Sequence, residues 1–136
     1  MDDDEPPPRS EKELPGLKKV LIDSEAKYGP DHAVVAQALS ELAVLHNELG
    51  HADEARPLFE RALVIWENDP NYGPEHSDVA QTLTDLAVLH IESGRHTVGR
   101  PLLERAMLIQ EKTLGTHHPD VEAIRDVLQS LDQEDA

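Results

Sequence analysis

The chain has no cysteine among its 136 residues, which excludes a disulfide framework, a thiolate zinc site and a cysteine nucleophile. Aromatic residues amount to 3%, namely Trp66, Tyr28, Tyr72 and Phe59. A core so poor in rings has to be packed from Leu, Val, Ile and Ala, as helical bundles and helical repeats are. Basic residues are scarce, 12 against 28 acidic, and the formal net charge is −16. Nucleic acids and anionic membranes call for a basic footprint, so neither is an expected partner. No apolar run approaches the roughly 20 residues of a membrane span. The opening MDDDEPPPRSEKE carries acids where a signal peptide has a basic and then an apolar region. These absences leave an acidic, soluble, all-α chain of one domain, with the cytoplasm as its default compartment.

What the chain does have is repetition. Residues 28–67 moved forward by 44 fall on 72–111, with 23 of 40 positions identical. Tyr28-Gly29-Pro30 meets Tyr72-Gly73-Pro74, and Leu42-Ala43-Val44-Leu45-His46 meets Leu86-Ala87-Val88-Leu89-His90. A further shift of 42 places Gly73, His76, Val79 and Leu86 on Gly115, His118, Val121 and Leu128. Upstream, Pro15, Leu17, Val20 and Leu21 align with Pro101, Leu103, Ala106 and Met107.

Within each unit apolar residues recur at three- and four-residue steps, which marks helices. Val35, Leu39, Leu42, Ala43 and His46 form one stripe, and Ala55, Phe59, Ala62 and Ile65 the next. Gly50 and the turn-rich run from Asn68 to Pro74 end these two helices. The spacing predicts about six helices, arranged as a half repeat 11–27, repeats 28–71 and 72–113, and a half repeat or cap 114–131. A disordered acidic arm is expected at 1–10 and an acidic tail at 132–136. Between the two ends, residues 16–131 keep a net charge of −9.

The stripes resemble the tetratricopeptide pattern, W-x2-L-G-x2-Y followed by A-x3-F-x2-A. Leu39, Leu42, Ala43 and His46 stand at the first four positions, then Ala55, Phe59 and Ala62. The next unit has Leu83, Leu86, Ala87 and His90, then Gly99, Leu103 and Ala106. The long repeat, with its Gly-Pro-Asp/Glu-His linker, is similar to the repeats of kinesin light chains. The resemblance implies an α-solenoid of antiparallel helix pairs, with small residues at 43, 55, 87 and 99 where two helices cross closely. Gln129 and Asp132, in place of a small and an aromatic residue, suit a polar end cap.

In that family the ligand groove is lined by first-helix residues turned away from the second helix. The resemblance carries this role onto Gln37, Ser40, Val44, Asn47 and Glu48 in the first whole repeat. In the second it falls on Gln81, Thr84, Val88, Ile91 and Glu92, and in the last half on Ala123, Asp126 and Ser130. None of these is Lys or Arg. Val44, Val88 and Ile91 are the expected floor, with Glu48, Glu92 and Asp126 beside it. Such a groove suits a neutral or basic, partly apolar protein segment better than an acidic one.

Eight histidines raise a metal hypothesis. His32, His76 and the pair His117-His118 follow equivalent turns, one repeat apart, on the order of 10 Å. Nitrogens sharing one ion lie about 2 Å from it, so helix-start hydrogen bonding is the expected role. His46 and His90 are expected at the core edge. No nucleophile elbow, phosphate loop or catalytic zinc spacing occurs, so no enzyme activity, metal or cofactor is expected. The reading is a protein-interaction adaptor or scaffold, or a small subunit docked in a larger assembly. The alternatives are a self-associating, end-stacked homodimer and a metal-binding or enzymatic protein.

Overall fold

A computed structural model describes residues 9–135 of the chain. A 3-10 turn, Glu11–Glu13, leads into six helices: α1 (Leu14–Tyr28), α2 (Ala33–Glu48), α3 (Ala52–Asn68), α4 (Ser77–Glu92), α5 (His96–Leu114) and α6 (Pro119–Asp135). No strand occurs among the described residues. The three-residue connections after α2 and α4 turn each helix back on its successor, giving antiparallel pairs α2–α3 and α4–α5. The contacts α1–α2, α3–α4 and α5–α6 join one repeat to the next.

Helices α2 and α4 bury the same register of residues. Val35, Ala36, Leu39, Leu42, Ala43 and Leu45 on α2 match Val79, Ala80, Leu83, Leu86, Ala87 and Leu89 on α4. One apolar cluster runs from Leu39 through Leu83 and Leu103 to Ile124, and Phe59 joins Ala43, Ala55 and Leu86 in a second. The small residues lie at the crossings, as expected: Ala43, Ala55 and Ala87 are fully buried and Gly99 is buried too. At Gly99 the approach is closest. A Cβ there would stand 2.7 Å from Ile91 Cγ1 and 2.9 Å from the Ala87 carbonyl oxygen.

The helix ends repeat as faithfully as the core. Gly50 adopts φ 84°, which lets its N–H donate to the Asn47 carbonyl at 3.1 Å and the His51 N–H donate to that of His46 at 2.7 Å. Gly94 does the same for α4. At the helix starts, Nδ1 of His32, His76 and His118 accepts the amides of Val34, Asp78 and Asp120, each at 3.1 Å. His46 and His90 are buried at the core edge. Burial, above all, pushes both imidazoles below their ordinary value.

Ion pairs then link successive repeats. Arg61 reaches Glu25 at 3.5 Å, Arg105 reaches Glu67 at 3.0 Å and Arg125 reaches Glu111 at 3.5 Å. Arg61 and Arg125 also donate to the linker carbonyls of Pro30 and Thr116.

Both chain ends are tied to the body where they are described. Residues 1–8 of the expected arm, and Ala136, lie outside the described residues. The Ser10 amide donates to the Glu13 carboxylate at 3.1 Å, and Arg9 reaches both Glu13 and Glu48, so residues 9 and 10 are tied to the body. Helix α6 continues through the expected tail to Asp135. No glycine or proline follows Leu131, and Arg100 holds Asp132 against α5.

Two substitutions test this packing in urea unfolding. Leu86→Ala should cost about 2–5 kcal/mol, as a buried truncation at a crossing does. Gly99→Ala should cost about 1–3 kcal/mol by overpacking, offset in part by about 1 kcal/mol of helix propensity. An alanine variant at 99 more stable than the wild type would show that the crossing is not tight.

Candidate binding groove

Their buried registers leave α2 and α4 one free strip each, and these strips border a common cavity of about 610 Å³. Gln37, Ser40, Glu41 and Val44 line it from α2, and Asp78, Gln81, Thr82 and Asp85 from α4. Leu17 of α1 and Trp66 of α3 close it, and Arg9 stands at its edge. A second hollow shares Gln37, Trp66 and Asp78 and extends toward the linkers. There the Tyr72 ring lies 4.6 Å from Trp66 and 4.4 Å from His76.

Two matching rungs cross the groove walls. Gln37 Nε2 donates to Glu41 Oε1 at 3.1 Å, and Gln81 Nε2 donates to Asp85 Oδ1 at 3.0 Å. Residues four apart on a helix are neighbours, so each amide steadies the carboxylate one turn on. The two carboxylates differ in surroundings. Glu41 is exposed, whereas Asp85 is half-buried. Burial raises the Asp85 carboxyl above its ordinary value, against the smaller opposing effect of the Gln81 bond. The Ser40 hydroxyl is buried without a hydrogen-bond partner. Neither α2 nor α4 contains Lys or Arg.

Of the residues expected to form the groove, Gln37, Ser40, Val44 and Gln81 meet in this cavity. The others do not line it. Asn47 and Glu48 lie at the end of α2, where Glu48 faces Arg9 at 3.7 Å, and Val88 and Glu92 occupy the matching end of α4. The Thr84 hydroxyl turns onto its own helix, donating to the Ala80 carbonyl at 2.9 Å. Ala123, Asp126 and Ser130 are exposed on α6, and the Ser130 hydroxyl donates to the Asp126 carbonyl. Ile91 is a correction: its side chain packs into the space left by Gly99 and belongs to the α4–α5 crossing. The residues that sequence reasoning missed are Glu41, Asp78, Thr82 and Asp85, with Leu17, Trp66 and Arg9. Gln followed by an acid four residues later, in both repeats, was the available signal.

This arrangement offers carboxylates and amides to a donor or a cation. Among the described residues no three potential metal ligands converge, and no helix is long and apolar enough to cross a membrane.

Comparison with protein families matches a tetratricopeptide repeat model to residues 15–68 and 35–98, and a second to residues 79–120. Comparison with curated proteins returns no match. Two similar solved structures are of a Podosopora anserina protein described as a kinesin light chain with nearly identical TPR-like repeats, one of them a variant. Each is 25% identical to this chain and covers 86% of it, with TM-scores of 0.76 and 0.77. The matched parts are 54% and 55% of those chains, so this chain spans about half their length.

The burial of Asp85 has a consequence for stability. Its carboxyl is raised on folding, so the folded chain binds that proton more tightly than the unfolded chain. Its contribution is therefore full at low pH and is lost as pH rises from the ordinary carboxylate range through the raised value. In urea unfolding, the stability of Asp85→Asn relative to the wild type should increase across that window. A difference that stays constant with pH would contradict the burial of the charge.

Proposed function

We propose, given that this chain belongs to the tetratricopeptide repeat family with repeats of the kinesin-light-chain-like kind, that its groove holds a basic, partly apolar segment of another protein. The tetratricopeptide repeats make it a protein–protein interaction module. The observation that carries the finer reading is the lining of the cavity: two amide–carboxylate rungs, one from α2 and one from α4, and no Lys or Arg on either helix. Asp85 supports it. A half-buried carboxylate bonded only to an amide gains most from an incoming Lys or Arg, because that charge offsets its desolvation. Val44 and Leu17 supply the apolar contact. Arg9, drawn to Glu13 and Glu48 at the same edge, is the kind of group the groove attracts. Two whole repeats make a short groove, which also suits a small subunit docked in a larger assembly.

Fluorescence anisotropy with labelled peptides tests the reading. A basic, partly apolar peptide should bind more tightly than its acidic counterpart, and more weakly as salt rises. Acidification that protonates Asp85 should also weaken it. Glu41→Lys with Asp85→Lys should cost at least about tenfold in affinity, roughly 1.4 kcal/mol. Asp3→Lys with Asp4→Lys should cost less, and so should Glu48→Lys with Glu92→Lys. A preference for the acidic peptide would overturn the assignment.

A further inference from the structure

The face away from the groove carries a second pattern. Ile22 on α1, Val64 on α3 and Leu108 on α5 occupy equivalent repeat positions. Their side chains are 65%, 58% and 57% exposed. Two of them lie well round their helices from the residue that lines the groove: Val64 is two positions before Trp66, and Ile22 five after Leu17. On every one of these helices a base stands three residues before the apolar residue and an acid three after it. The triplets are Lys19-Ile22-Glu25, Arg61-Val64-Glu67 and Arg105-Leu108-Glu111. Residues three apart share a helix face, so the three helices present a basic row, an apolar row and an acidic row side by side. The pairs Arg61–Glu25 and Arg105–Glu67 tie neighbouring helices together and keep the rows in line.

We propose that a second copy of this chain docks on this face, with the two-fold axis running along the apolar row. Rotation about that axis reverses the direction of the helices and leaves their order unchanged. Val64 then meets Val64 of the second copy, and Ile22 and Leu108 meet their own counterparts. The basic row of each copy lies over the acidic row of the other, which is the self-complementarity an isologous interface requires. Net charge favours the same face. Together α1, α3 and α5 are electrically neutral, whereas α2, α4 and α6 are all acidic in a chain of net charge −16. Two copies avoid mutual repulsion only by meeting through the neutral helices. End stacking lacks this match, because α6 exposes Gln129 and its Asp132 is already held by Arg100 of α5.

The absence of cysteine makes the test direct. Val64→Cys should form a disulfide-linked species of twice 15.1 kDa under oxidised glutathione, and Gln37→Cys, on the groove side, should not. In sedimentation velocity the wild type should show a concentration-dependent dimer. Val64→Asp, which sets two carboxylates against each other, should raise its midpoint by at least about tenfold. Far-ultraviolet circular dichroism establishes that each variant stays helical, as substitution at an exposed position should allow. A wild type that remains at 15.1 kDa at every concentration, or equal cross-linking of the two cysteine variants, overturns the proposal.

Discussion

The structure depends on α2 and α4 being packed from both sides. Each has the helix before it and the helix after it as neighbours, and half of its residues disappear into those contacts. Such packing is possible only because Ala43, Ala55, Ala87 and Gly99 let backbones approach where the pairs cross. One strip per helix then remains for solvent, and both strips open on the same side. The groove is therefore a by-product of core packing. Its lining is mostly residues the core did not claim, with the buried Trp66 and Thr82 at its base.

Charge is sorted along the same division. The groove helices α2 and α4 carry acids and no bases, and the bases among the helices fall mostly on α1, α3 and α5, beside acids. Solvent-accessible pairs such as Lys112–Glu75 are screened by water and contribute little, so their effect is to set orientation more than stability. A half-buried carboxylate such as Asp85 acts in a lower dielectric, where a single added charge matters more. On the readings proposed above, one surface discriminates by sign, and the other by the order in which signs alternate.

Most of the architecture was legible in the residues. Helices near 77–92 and 96–113 follow from apolar steps of three and four closed by glycine, and α4 and α5 occupy Ser77–Glu92 and His96–Leu114. The histidines after the linkers were readable as helix-start acceptors because they recur where an N-cap must stand. The groove was harder. Tetratricopeptide spacing assigns it to single helices, but the cavity forms where α1, α2, α3 and α4 meet, so Leu17 and Trp66 could not be found on one helix alone. Ile91 was misplaced for a related reason. Between the repeats, Asn47 becomes Ile91 just as Ala55 becomes Gly99. Those two differences fit each other: the missing methyl makes room for the larger side chain.

That paired change bears on how the chain finds its fold. With 23 of 40 positions shared between the repeats, α3 and α5 offer α4 nearly the same apolar stripe, and a growing chain meets α3 first. The fit at Ile91 separates them. A helix bearing Ala55 in the place of Gly99 would press its methyl to within 2.7 Å of the Ile91 side chain, which no relaxed pairing tolerates. Only the glycine-bearing helix meets Ile91 without a shift of one or the other, so the wrong pairing carries the same overpacking cost that Gly99→Ala would introduce. The small residue at 99 thus makes two near-copies unequal partners for α4, in favour of the helix that follows it.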